Sequence, residues 1–175
     1  MLSSANSCLH AETRRLGIFG GGTVGGGIIE ILQSKAEYLE QLTNCKLEIA
    51  KLCVRDASKA RDFSLPESCI VTEDYDDILK DESIDMVVEV MGGTTDARDI
   101  VYKSLKANKD VVTANKALIA AYLPEIENAL KASKAEFRYE AAVCGGIPVI
   151  RSLLSDFVGD DIKQLSGIIN GCTNF

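Results

Sequence analysis

The chain has 175 residues, 46% of them hydrophobic, and 19 basic against 26 acidic side chains give a formal net charge of −7. That is ample apolar material for a buried core, while the lack of a lysine- or arginine-rich block argues against a nucleic-acid partner, which needs a clustered basic footprint. Six cysteines without a C-x-x-C pair and a single histidine, His10, argue against a Cys/His zinc site and for a reducing, cytoplasmic setting.

Residues 1–13 lack the apolar core of a secretory signal and read as a flexible tail; no apolar stretch is long enough to span a bilayer. From residue 14 to about 158, apolar runs alternate with amphipathic helical patterns. Leu16–Phe19 is a first strand ending in glycines. Val24, Ile28, Ile31, Leu32 and Leu39 then recur at helical spacing. Leu47–Val54 and Ile70–Val71 are the next strands. Met86–Met91 is nearly all apolar, as a central strand buried on both faces requires, with Glu89 as the exception. Ala97, Ile100, Val101 and Leu105 form a helical face, with Thr95 as N-cap and Asn108 as the stop. Asp110–Thr113 is a fifth strand, Pro124 sits in the first turn of a helix carrying Ile126 and Leu130, Glu136–Tyr139 is a sixth strand, and Pro148 opens a helix through Phe157. This alternation predicts an α/β fold, a Rossmann-like doubly wound parallel sheet over residues 14–158. Gly159-Asp160-Asp161 breaks the rhythm, and Asp161–Ile169 reads as a strand opening a second unit over 159–175. Such a strand without neighbours favours self-association.

Gly20-Gly21-Gly22-Thr23-Val24-Gly25 fits G-x-G-x-x-G between a strand and a helix. In that context Gly20 permits the turn, Gly22 lets the backbone approach a pyrophosphate, Gly25 allows helix–strand packing, and free N–H groups at the helix start hold the phosphates. Gly26 and Gly27 are unexplained by the motif, since each costs ~1 kcal/mol in a helix relative to alanine. At the end of the second strand an acid favours NAD and an arginine favours NADP; this chain has both, Arg55-Asp56, with Lys59 and Arg61 close by. The four charges also read as a solvated loop. Val90–Thr95 and Val112–Leu118 fall at strand C-termini, where Asn115 and Lys116 can face a bound cofactor and polarise a carbonyl oxygen.

G-G-G-T-V-G, V-V-E-V-M-G-G, V-V-T-A-N-K-A-L, Y-E-A-A-V-C-G-G-I-P and G-I-I-N-G-C-T-N-F occur in this order, and together they resemble homoserine dehydrogenase from residue 14 onward. The resemblance implies reversible NAD(P)H-dependent reduction of L-aspartate 4-semialdehyde to L-homoserine, on the route to threonine, methionine and isoleucine. It implies cofactor contacts at Gly20, Gly22, Thr23, Val24, Gly25, Arg55, Gly93, Thr94, Asn115 and Lys116, with Arg55 favouring NADP over NAD and Lys116 also matching the first of two active-site lysines. Glu140, Val143, Gly145 and Ile147 match the family's monovalent-cation site, sodium, and Gly171 and Cys172 match the border of the substrate pocket, with cysteine where the family has threonine. The family's second lysine and its substrate-binding carboxylates have no counterpart in these residues. The resemblance therefore implies a truncated chain, inactive alone, from an enzyme that is a homo-oligomer at full length. Another semialdehyde or amino-acid dehydrogenase and a non-catalytic nucleotide sensor are the alternatives.

Overall fold

A computed structural model describes residues 12–167. Six parallel strands form one sheet in the order β3-β2-β1-β4-β5-β6. The strands are β1 Glu12–Phe19, β2 Cys45–Cys53, β3 Ile70–Thr72, β4 Met86–Glu89, β5 Asp110–Thr113 and β6 Phe137–Arg138. The helices are α1 Thr23–Ser34, α2 Ala36–Thr43, α3 Asp76–Leu79, α4 Thr95–Lys106, α5 Lys116–Leu130 and the single turn α6 Val149–Arg151. Strand order reverses between β1 and β4, so their C-terminal ends part into the crevice where open α/β sheets take ligands. The predicted doubly wound fold is the fold observed.

The sheet is buried on both faces because its strands are apolar at successive positions. Leu16, Ile18, Ile49, Leu52 and Val88 pack with Ile29 of α1 on one face. Phe19, Ala50, Cys53, Val87 and Val111 pack with Ile78, Ile100, Val101, Leu105, Leu118 and Ile126 of α3, α4 and α5 on the other. The β1–β2 register slips between Leu16/Ile49 and Gly17/Lys51, leaving Ala50 as an extra residue in β2.

Several boundaries differ from expectation. Glu12 and Thr13 pair with Cys45 and Lys46, so strand one begins inside the predicted tail; main-chain pairing places them there, and polar side chains give no apolar signal of it. The first helical pattern is two helices broken at Lys35, whose N–H closes the last turn of α1 on the Ile31 carbonyl. Thr94, not Thr95, is the N-cap of α4, while Asn108 is left-handed at φ 56° as a helix stop requires. Pro124 lies well inside α5, because Asn115 caps the helix far upstream by accepting from the Leu118 N–H at 3.1 Å. The helix after Pro148 is one α-turn continuing into a π-helical stretch, Ser152–Asp156. Residues 161–167 form no strand and are exposed, Ile162 and Leu165 included, and among the described residues no strand pairs with them. Ile168, Ile169, Gly171 and Cys172 lie outside the described residues.

Candidate functional site

The glycine loop joins β1 to α1 at the crevice. Gly20 has φ +111°, and a Cβ there would lie 2.7 Å from the Val90 carbonyl oxygen. At Gly25 a Cβ would stand 2.0 Å from the Gly20 carbonyl oxygen, so the loop and the first turn of α1 close on each other only without side chains. A Cβ on Gly26 would meet the Phe63 ring at 2.6 Å, which accounts for that glycine inside a helix. Gly22 and Gly27 differ: a Cβ on either would meet nothing within 4 Å and would fill the cavity beside them. The N-cap Gly22 offers no side-chain acceptor to the first turn of α1, and that turn has no acidic residue. Its N–H groups and the positive end of the helix therefore face an open cradle, an anion-binding arrangement.

That cradle is one wall of a cavity of about 860 Å³. Gly20, Gly21, Gly22 and Thr23 form its floor; Arg55, Asp56, Lys59, Arg61 and Phe63 form the wall after β2; Tyr75 closes the side beyond β3, and Val90 and Met91 the side of β4. Its size suits a dinucleotide portion. Arg55 thus shares a cavity with Gly20, Gly22 and Thr23. Val24 and Gly25 do not line it; Val24 is 53% exposed on α1, and Gly25 is buried against the loop. Of the four charges after β2, Arg61 is turned onto its own loop, donating to the carbonyls of Asp56, Ala57 and Lys59 at 2.8, 3.3 and 2.8 Å.

Sequence reasoning missed several of these walls. Glu30, Cys53, Phe63 and Tyr75 line the cavity, yet Phe63 and Tyr75 come from irregular segments without periodicity. The Cys53 thiol is pushed up to about 11 by burial and by Asp74, Asp77 and Glu73, so it stays protonated.

Beside the cavity, the loops after β4 and β5 are tied together by Glu89. This carboxylate is fully buried and accepts from the Met91 N–H at 2.9 Å, the Thr113 hydroxyl at 2.7 Å and Asn115 Nδ2 at 3.5 Å. Asn115 also donates to the Gly93 carbonyl at 2.7 Å. Both ends of its amide are thus engaged within the protein, Oδ1 capping α5 and Nδ2 holding Gly93, and it is only 7% exposed. Its side chain thus ties the loop after β4 to the start of α5. Lys116 is exposed on the first turn of α5, and Gly92 and Gly93 take φ of +76° and +74°. Gly93, Thr94, Asn115 and Lys116 are brought together at the C-terminal edge of the sheet, next to the cavity wall at Val90 and Met91.

Among the described residues no group of three or more His, Cys, Asp or Glu side chains is placed to hold a metal. Residues 140–147 run through the 3-10 turn Glu140–Ala142 into an irregular loop. Cys144 and Gly145 are consecutive left-handed residues at φ 57° and 58°. The Glu140 carboxylate accepts from the N–H groups of Ile150 and Arg151 at 3.1 and 3.0 Å, and the Ile147 carbonyl accepts from Val149 at 2.8 Å.

Residues 20–140 match the family model described as homoserine dehydrogenase, NAD binding domain. The chain is 38% identical over 161 residues to the homoserine dehydrogenase of Bacillus subtilis, covering 92% of this chain and 37% of that protein. It is 40% identical over 160 residues to the enzyme of Corynebacterium glutamicum, covering 91% and 36% respectively. The crystal structure of a homoserine dehydrogenase from Thiobacillus denitrificans superposes with a TM-score of 0.79 at 36% identity, covering 85% of this chain and 34% of that one. The chain thus spans little more than a third of the length of these relatives.

Proposed function

The chain belongs to the homoserine dehydrogenase family through its NAD-binding domain, and from that premise we propose that it holds the nicotinamide nucleotide, preferably NADP, for the reduction of L-aspartate 4-semialdehyde to L-homoserine. The carrying observation is the open cradle at Gly22 and Gly27, which continues into a wall bearing Arg55 and Lys59. The backbone N–H groups at Gly22, Thr23 and the start of α1 bind the pyrophosphate. Arg55 binds the phosphate on the adenosine ribose, and a guanidinium suits that task because it offers paired donors to phosphate oxygens. Gly93, Thr94 and Asn115 shape the crevice on the side of the nicotinamide, which supplies the hydride when bound.

Lys116, exposed beside that crevice, donates to the carbonyl oxygen of the substrate. Glu140 with the carbonyls of Val143, Gly145 and Ile147 takes a monovalent cation. Residues up to 158 form the nucleotide-binding unit, and the homo-oligomer and the remaining substrate contacts belong to the full-length enzyme.

Calorimetric titration of the chain with NADPH and NADH tests the reading. NADPH is expected to bind at least about tenfold tighter. Arg55→Ala should remove most of that difference by weakening NADPH and leaving NADH near its original affinity. Binding of neither nucleotide would overturn the proposal, and equal affinities would remove the role of Arg55.

A further inference from the structure

The acid that follows Arg55 is already engaged. Asp56 lines the same cavity as Arg55 and Lys59. Its Oδ1 accepts three hydrogen bonds, from the Ser58 N–H at 2.9 Å, the Ser58 hydroxyl at 2.6 Å and the Lys59 N–H at 3.2 Å. The Ser58 hydroxyl leads the interactions that hold this carboxyl below its ordinary value, so it is ionised at neutral pH. Arg61 clasps the same turn from the other side through the carbonyls of Asp56, Ala57 and Lys59. Two of the four charges in the segment are therefore spent on the loop's own backbone. Among the described residues the side chains of Arg55 and Lys59 make no ion pair.

We propose that Ser58 is a positioning residue for cofactor choice: by holding the Asp56 carboxylate in the 56–59 turn, it keeps that carboxylate off the adenosine ribose and leaves Arg55 and Lys59 as the charges the loop presents. This deepens the cofactor reading above and rests on it. A free carboxylate at this place would accept a hydrogen bond from the ribose 2′-OH of NADH and would repel the 2′-phosphate of NADPH. Held by three donors, Oδ1 is not offered to the 2′-OH and its charge is partly offset within the turn, so an acid that the sequence places in an NAD-like position coexists with a phosphate-binding wall.

The test is a cycle of variants of the 175-residue chain, titrated with NADPH and with NADH, with thermal unfolding followed in parallel. Ser58→Ala is expected to shift the NADPH/NADH affinity ratio about tenfold towards NADH, the value of one charge-assisted hydrogen bond gained and one repulsion added. Ser58→Thr keeps the hydroxyl and should keep the wild-type ratio. In the double variant Asp56→Asn with Ser58→Ala no charge remains to be released, and the ratio should return to within about threefold of wild type. A purely structural role for Ser58 would lower both affinities together and leave the ratio unchanged; that result, or a shifted ratio that the double variant does not restore, overturns the proposal. Wild-type preference for NADPH that survives Ser58→Ala overturns it while leaving the cofactor reading intact. Failure of the wild type to bind either nucleotide sinks the cofactor reading itself.

Discussion

Glu89 is a fully buried carboxylate at the end of a central strand. A buried carboxyl group is costly unless hydrogen bonds satisfy it. Here the Met91 N–H, the Thr113 hydroxyl and Asn115 Nδ2 do so, and the same bonds fix the loops that carry Gly93 and Lys116. Glu89→Ala leaves the buried Thr113 hydroxyl and the half-buried Met91 N–H without their acceptor. It should cost on the order of 2–4 kcal/mol in urea unfolding, and a variant as stable as wild type would contradict the scaffold role. The sequence exposed Glu89 as an anomaly in an apolar run but not its partners, because Thr113 and Asn115 lie at and just beyond the end of β5, which only the fold brings alongside β4. Asn115 was legible as a residue at the sheet's C-terminal edge, while its bonds to Gly93 and to the Leu118 N–H were not.

Among the elements, β1, β4 and β5 were legible because both faces of the sheet are covered, which forces continuous apolar runs. α5 was legible only in its second half. Its proline suggests a helix start, yet Pro124 is exposed in the interior, with no N–H to give to the preceding turn. The capping Asn115 and the buried Leu118, Ile119 and Ile126 carry the helix through it. Pro124→Ala restores the missing donor at an exposed site and should raise stability by about 1–3 kcal/mol, read as a higher denaturation midpoint with an unchanged slope. An unchanged or lower midpoint would mean that the proline is accommodated at no cost. The loop after β2 was the least legible segment, since Arg61 and Asp56 bond to main-chain groups, and such partners leave no periodic trace.

At the scale of the molecule, the strand entrances opposite the cofactor cavity are held by a charged cluster. Lys51 pairs with Asp81 at 2.8 Å, Ser83 donates to Asp81 through its N–H and hydroxyl, and the buried Lys109 donates to the carbonyls of Asp81 and Ile84 at 2.5 and 2.7 Å. The Lys51 ammonium, followed by Ser83, holds the Asp81 carboxyl well below its ordinary 3.8. A carboxyl depressed in the folded state binds protons more readily when unfolded. Its contribution is therefore whole above pH 3.8 and is lost as pH falls towards the folded value. Asp81→Asn should thus cost about 1–3 kcal/mol at pH 7, and the gap from wild type should close in denaturation curves taken below pH 3.8. Affinity for NADPH should not change, because these residues lie outside the cavity. A gap independent of pH would show that Asp81 acts by packing alone.

By itself the sequence determined the parallel α/β architecture, the glycine loop and the family, because strand burial and the close approach of Gly20 to Gly25 each demand particular residue types at fixed spacing. Only the tertiary structure decided which charges after β2 are bonded within their own loop and which groups Glu89 and Asn115 hold. Those outcomes depend on hydrogen-bond partners that the fold, not the spacing of residue types, brings within reach.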